Sequence, residues 1–407
     1  MLRTDVAIIG GGMVGLTLGH ALARSGLTAA VIDRESPALR ADAGYDGRAS
    51  AIAYGSRRIL EGLDLWSGLA DGACAIDDIR VSDGASRLFL HYDHTEIGYQ
   101  PLGHIVENTA IRRVLIGAVD RSPGLLHLAP ATAATMSYEG AAAAVTLADG
   151  RTVRAGLVVA ADGRASLTRA AAGIAVTEQR YEQTGIVCTA GHARPHRNVA
   201  HERFLPAGPF ALLPMTGLAE HPHRSSIVWT ERNDLAPAML ALSDDAFGAE
   251  MTRRFGNTLG PLRVIGRRWS YPLGLLHASA YVRPRLALVG DAAHAIHPIA
   301  GQGLNLGLRD VAALAEVLVD AHRLGLDLGS PIVLERYERW RRVDAIALIA
   351  VTDGLNRLFS NDVVPVRVMR DLGLAAVNRL PGLKRLFMRH AMGTVGDLPR
   401  LVRGERL

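Results

Sequence analysis

Gly10, Gly12 and Gly15 fall at the G-x-G-x-x-G spacing, between the apolar run Val6–Ile9 and a helical pattern. Asp33, with Arg34 beside it, closes a second apolar run, Ala29–Ile32, about 20 residues on. Such glycines allow a tight turn, close approach to a pyrophosphate, and close helix–strand packing; the acid can hold a ribose hydroxyl. Amides at the helix start favour the phosphate charge. Two further acids end apolar runs: Asp162-Gly163 after Val158–Ala161, and Gly290-Asp291 after Leu286–Val289. Each alone reads as a turn or helix cap. Together with the glycine triplet they describe one long nucleotide cofactor held at three points, where α/β sheets bind ligands. The run His297–Asp310 continues the theme. Pro298 stiffens the approach, and Gly301 and Gly303 admit close contact. Gln302, Leu304 and Asn305 sit at a helix start, where donors converge on a ring that gains negative charge.

The elements that must position these residues follow from periodicity. Residues 1–70 read as βαβ and a helix. Ile79–Ser82 and Arg87–Tyr92 read as strands, and Asn108–Asp120 has helical spacing. Thr132–Tyr138, Ala143–Leu147 and Thr152–Val153 form a meander turning at Asp149-Gly150, and Leu157–Ala161 reads as a separate buried strand. Thr184–Ala190, Ala200–Leu205, Phe210–Met215, Ser225–Glu231 and Val264–Tyr271 suggest an antiparallel sheet, interrupted by a helix over Ser243–Phe255. Helical patterns run from Gly303 onward. The expected class is α/β: a Rossmann-like nucleotide-binding domain interleaved with a mainly antiparallel β-sheet domain, plus C-terminal helices. The expected division is 1–75, 106–175 and 273–360 for the nucleotide half, 76–105 and 176–272 for the β-rich half, and a basic helical segment over 361–407.

The 407 residues suffice for two or three domains. No apolar run is long enough to span a bilayer, and Met1–Asp5 leads straight into the first strand. The expected location is the cytoplasm. Cys74 and Cys188 form no C-x-x-C and suggest a reducing compartment without a structural disulfide. The net charge of +5 is concentrated: residues 363–407 hold nine basic and three acidic side chains. Few aromatics accompany those arginines, which argues against nucleic acid. His294 and His297 lack a third ligand at a recognised spacing, so no metal is expected and a turn-supporting role is. No nucleophile–base constellation is visible. Trp229 reads as core, and Tyr271-Pro272-Leu273 as a strand end.

Glycine triplet, Asp-Gly strand and Gly-Asp strand in this order resemble the group A flavoprotein aromatic monooxygenases. Within them, His297–Asp310 resembles the signature of the ubiquinone-biosynthesis hydroxylases; Val106–Asn108, Asn198–Leu213 and Met388–Gly393 are similar to that family as well. The resemblance implies a p-hydroxybenzoate-hydroxylase-like fold and non-covalent FAD. It places Gly10, Gly12, Gly15 and Asp33 on the ADP half, Arg48 near the flavin, and Asn108 at the head of its helix. Asp291 would bond the ribityl chain, and Gly301–Asn305 would face the pyrimidine edge. Asp162-Gly163 is tied in the family to both FAD and nicotinamide handling. With one full glycine fingerprint, NAD(P)H would bind transiently.

The implied chemistry is reduction by NAD(P)H, addition of O2 to give a flavin hydroperoxide, and oxygen transfer to a polyprenylated phenol or quinone precursor. Phe204, Phe210, Leu212, Leu213 and Met215 are the expected apolar lining. Three rivals share features. A flavin halogenase needs a lysine near the N-terminal domain, and the single lysine, Lys384, stands in the tail. A flavin-dependent prenyl-lipid reductase shares fold and substrate class. A non-catalytic flavin-bound accessory protein of a quinone-biosynthesis complex needs no turnover. The basic tail reads either as a solvated helix face or as a dock for an anionic inner membrane face or a partner complex.

Overall fold

Val6–Ile9 are all buried, so the strand that holds them has both faces covered, as continuous apolar runs in parallel sheets do. In the computed structural model, which describes residues 1–41, 46–84, 89–297, 301–359 and 377–407, the chain proceeds as follows. First come β1 (Leu2–Ile9), α1 (Met13–Arg24), β2 (Ala29–Ile32), α2 (Pro37–Ala41), β3 (Ala49–Ala53) and α3 (Tyr54–Gly62). Next are β4 (Cys74–Ile76), β5 (Asp78–Asp83), β6 (Phe89–Asp93), β7 (Gly103–Glu107), α4 (Asn108–Asp120) and β8 (Leu125–Leu128). Then follow β9 (Ala133–Glu139), β10 (Ala142–Leu147), β11 (Thr152–Ala160), α5 (Leu167–Ala171) and β12 (Val176–Gly191). After these stand β13 (Val199–Leu205), β14 (Gly208–Met215), β15 (Arg224–Arg232), α6 (Ala236–Leu240), α7 (Asp244–Phe255) and β16 (Arg263–Ala278). The chain returns through β17 (Val282–Arg283), β18 (Leu286–Leu288) and β19 (His294–Ala295). Helices α8 (Gln302–Arg323) and α9 (Pro331–Phe359) precede two further helices, Pro381–Met392 and Arg400–Arg403.

The first sheet has the order β17-β18-β11-β1-β2-β8, with β10 and β9 continuing from β11. From β18 to β8 all pairings are parallel. The two strands expected at Thr152 and Leu157 are one strand. Arg154 and Gly156 interrupt the apolar pattern but not the backbone, which pairs with β1 from Leu2↔Val153 to Ile9↔Ala160. The first half of β11 carries the β10 hairpin and the second half carries β18. Helices α1, α4, α8 and α9 supply residues to the core of this sheet.

The second sheet runs β19-β16-β12-β15-β14-β13-β5-β6. It is antiparallel except for β5 beside β13, which is parallel. From the 76–105 stretch, β5 and β6 join it, while β7 belongs to the third sheet. Trp229, Phe210, Phe247 and Met251 pack between this sheet and α7. Ser243 is the N-cap of α7 and not its first residue; its Oγ accepts from the Ala246 amide. β12 and β16 are much longer than expected, at 16 residues each, and they stay paired across two register shifts. Tyr271-Pro272-Leu273 accordingly lies inside β16 and not at its end. A small third sheet, β3-β7-β4, completes the fold.

Both cysteines are buried and unpaired. No helix among the described residues is long and apolar enough to cross a membrane. Of the basic tail, Arg367, Arg370 and Asp371 lie outside the described residues. Part of the remainder is packed: Met388, Met392, Leu401 and Val402 are buried, Asn378 accepts from the His91 amide, and Lys384 pairs with Glu96 at 2.5 Å.

Candidate functional site

Because β1, β2, β11 and β18 are parallel neighbours, their carboxyl ends meet at one edge of the first sheet. Gly10, Asp33, Asp162-Gly163 and Gly290-Asp291 all lie there. Gly10 has φ +108°, and a Cβ on it would lie 2.3 Å from the Ala161 carbonyl oxygen. A Cβ on Gly15 would lie 2.0 Å from the Gly10 carbonyl oxygen, so α1 rests directly on the turn. Gly12 differs: no protein atom comes within 4 Å of where its Cβ would stand. It is the N-cap of α1, whose first turn carries no acid and no side-chain cap. The amides there are open to an anion. The Asp33 carboxylate lies over Gly11, whose Cβ would fall 2.3 Å from Oδ2, and its Oδ1 accepts from the Glu35 amide at 3.1 Å. The Arg34 side chain is exposed.

The other two acids are not equivalent to Asp33. Asp162 Oδ2 accepts from the Thr168 amide at 3.1 Å, while its Oδ1 is buried without a partner. Asp291 opens onto the cleft yet is enclosed by protein on its other sides. That desolvation pushes its carboxyl above the usual range, against the lowering effect of His294 and Arg164. Arg169, without an assigned role in the sequence, joins the two loops. Its Nη1 donates to the Ala292 carbonyl at 2.9 Å and its Nη2 to the Arg164 carbonyl at 3.0 Å.

Gly301 caps α8 in the left-handed region, φ +63°. Gly301, Gly303 and Leu304 line the cleft, but Gln302 and Asn305 are buried. Asn305 spends its amide on structure: Nδ2 donates to the Ala51 carbonyl, and Oδ1 accepts from the Ala53 amide, each at 2.9 Å. It ties α8 to β3 and does not face the cleft with its side chain. Pro298 lies outside the described residues. Arg48 is held by Asp46 at 2.9 Å, and its guanidinium sits 4.8 Å from the Trp269 ring centroid. Burial would raise the Asp46 carboxyl, but Arg112 and Arg48 together hold it below its usual range. Asn108 opens α4 and accepts from Ser50 Oγ at 2.7 Å.

Arg48, Asn108, Asp291, Gly301 and Leu304 line one side of a cleft of about 950 Å³. Val187, Leu213, Val228, Tyr271 and Leu273 line the other. Of the lining expected from β13 and β14, only Leu213 is there. Phe210 and Leu212 alternate to the opposite face and pack under α7, Phe204 packs with Leu90 and Phe359, and Met215 is buried beside Ile76. His297 is buried edge-on to Tyr181, and burial lowers it to about 4, so it is a neutral imidazole at pH 7. No metal-ligating cluster is present among the described residues.

A family model described as an FAD binding domain matches residues 3–351. A ubiquinone hydroxylase, UbiL, of Rhodospirillum rubrum is 53% identical over 406 residues, covering 99% of this chain and 93% of its own. The 3-demethoxyubiquinol 3-hydroxylase of Escherichia coli is 34% identical over 391 residues, covering 96% of this chain and 98% of its own. The chain belongs to the FAD-dependent ubiquinone-biosynthesis hydroxylase family. Among solved structures, p-nitrophenol 4-monooxygenase PnpA from Pseudomonas putida superposes with a TM-score of 0.80 at 18% identity, covering 98% of this chain and all of that one. That likeness shows a shared fold.

The cleft fits the family's cofactor on its own terms. The strand ends beside it offer open space off Gly12 and a buried, unpartnered Asp162 Oδ1, and Asp291 lines the cleft itself. The turn carrying Asp291 is braced by a residue that the sequence offered only as the end of a run. Asp310 is fully buried, and its Oδ2 accepts from the Gly290 amide at 2.9 Å and lies 2.7 Å from His294 Nε2. Its Oδ1 accepts from Arg341 Nε at 2.8 Å. Burial alone would raise this carboxyl; His294 and Arg341 hold it below the usual range. His294 thus supports the turn, as expected.

Two outcomes follow. Gly12→Ala adds a methyl that meets no protein, so stability without FAD changes by less than about 1 kcal/mol while FAD binding weakens at least about tenfold. Thermal denaturation and fluorimetric FAD titration check both. Asp310→Asn costs about 3–5 kcal/mol in urea denaturation at pH 7, since Arg341 loses a buried counter-charge. A carboxyl lowered by folding stabilises above its unfolded pKa, so the gap from wild type closes as pH falls below about 4.

Proposed function

We propose that the chain hydroxylates the aromatic ring of a prenylated phenol or quinone precursor of ubiquinone, with NAD(P)H as electron donor and O2 as the oxygen source. The observation that carries this reading is a single cleft with Asp291, from the turn after β18, Arg48, Asn108 and the start of α8 on one side and an apolar wall on the other. In this reading Gly10, Gly12 and Gly15 admit the pyrophosphate to the start of α1, and Asp33 holds the adenosine ribose. Asp162, Gly163, Gly290 and Asp291 line the path of the ribityl chain. An Asp291 carboxyl with raised proton affinity suits a hydroxyl partner. Arg48 and Asn108 stand at the flavin side, with the backbone of Gly301–Asn305 at the ring edge. Bound FAD supplies the redox and oxygen-activating chemistry. Val187, Leu213, Val228 and Leu273 keep water from the reacting centre and offer a surface to the prenylated ring.

The helix Pro381–Met392 supports peripheral contact with an anionic membrane, from which such a substrate would be drawn. Leu380, Leu383, Leu386 and Phe387 form one stripe, 38–54% exposed, flanked by Arg385 and Arg389. Its opposite face, Met388 and Met392, is buried, so deleting the whole tail would disturb the fold.

The purified holoprotein, given NAD(P)H, a short-chain prenylated phenol and ¹⁸O2, should yield a product one labelled oxygen heavier by mass spectrometry. An unlabelled, hydrogen-enriched product would identify a prenyl-lipid reductase and overturn the reading. Serine at Leu383, Leu386 and Phe387 together should abolish co-sedimentation with anionic liposomes while leaving thermal stability in place.

A further inference from the structure

A second cleft, of about 710 Å³, lies between α8, α9 and the segment 395–403, and it shares no lining residue with the cofactor cleft. From α9 it takes Arg336, Arg339, Trp340, Val343, Asp344 and Ala347, which steps of three and four residues keep on one helix face, with Arg341 at the buried edge of that face. Trp340 Nε1 donates to the Asp397 carbonyl at 2.7 Å and fastens the opposite wall.

The cleft holds five arginines against three carboxylates, and most of the negative charge is already engaged. Asp344 accepts from both Arg309 and Arg341, and Glu316 accepts from the Arg400 backbone and side chain. Asp397 stands exposed at the rim, and Arg403 is held by Glu405. The arginines keep donors in reserve. Arg341, with a side chain 3% exposed, uses Nε on Asp310 and Nη1 on Asp344, and its buried Nη2 has no partner. A buried N–H left unpaired is costly, so this donor calls for an acceptor. Arg339 is exposed and makes no ion pair among the described residues. Among the described residues Arg336 pairs only with Asp320, at 3.3 Å, and Asp320 is also held by Arg400. Beside these cations the wall is apolar: Trp340, Ala347, Leu398 and Val343, the last 72% exposed.

Guanidinium forks match phosphate oxygens, and an exposed valine beside a tryptophan matches an apolar body. We propose that this cleft binds an organic phosphate, with Arg336, Arg339 and Arg341 on the phosphate and Trp340 and Val343 on its apolar part. The site stands apart from the flavin chemistry and does not rest on it.

The test uses FAD-saturated full-length protein, so that the Gly12 cradle is filled, and titrates phenyl phosphate and inorganic phosphate by calorimetry. Saturable binding of both is expected, with phenyl phosphate the tighter. Arg336→Ala with Arg339→Ala, both outside the cofactor cleft and exposed, should weaken both ligands at least about tenfold. Val343→Ser should weaken phenyl phosphate alone. Arg341 is left intact because it also braces Asp310. Absence of saturable binding overturns the proposal. So does wild-type affinity in the double variant, or an equal response to chloride at matched ionic strength. Displacement of phenyl phosphate by vesicles containing phosphatidic acid, but not by pure phosphatidylcholine vesicles, supports the site and assigns the phosphate to a lipid headgroup. Saturable binding that resists such vesicles supports it with a soluble phosphate.

Discussion

The Gly10 carbonyl oxygen occupies the space that any side chain at residue 15 would need. Everything at the cofactor edge depends on that contact. It lets α1 start directly above the end of β1, so its free amides open on the edge where β2, β11 and β18 also end. A larger residue at 15 would lift the helix and move the whole group of donors away from Asp33. Gly11 extends the same logic, since the Asp33 carboxylate lies where its side chain would be. The strand ends hold a ligand site because bare backbone is what lies between them.

The second constraint is electrostatic. The Gly290-Asp291 turn is held from behind by a buried carboxylate, Asp310, itself held by Arg341 and His294. Asp310 and Asp291 thus sit on two sides of one turn with opposite displacements of proton affinity. The cause is what surrounds each. Asp310 has Arg341 and His294 in direct contact, whereas Asp291 is desolvated, with His294 and Arg164 only partly offsetting that burial.

Much of this was legible in the sequence. Glycine spacing and strand-terminal acids encode a local backbone geometry, so the three strand ends were placed correctly from residue types alone. Asn108–Asp120 forms the helix its period demanded. What was not legible depends on partners distant in sequence. Alternation along β14 shows that Phe210 and Leu213 face opposite ways, but only the docking of α7 decides which faces the cleft. Asn305 reads as a ligand donor until β3, some 250 residues earlier, claims its amide at Ala51 and Ala53. Arg48 is expected near the flavin, but nothing in the sequence shows that Asp46 and Trp269 fix it. Arg154 and Gly156 made one strand look like two, because side-chain polarity changed where hydrogen bonding did not.

β12 and β16 form a ladder of two 16-residue strands that begins deep in the second sheet and reaches β19, beside the Gly290 turn. Such a ladder stiffens the β-rich wall of the cleft, to which β12 gives Val187 and β16 gives Tyr271 and Leu273. Bending that wall would require breaking main-chain bonds along the ladder, a cost that rises with every rung. Traffic in and out of the cavity therefore falls to side chains and loops at its mouth, and the wall behind the reacting ring keeps its shape while cargo changes.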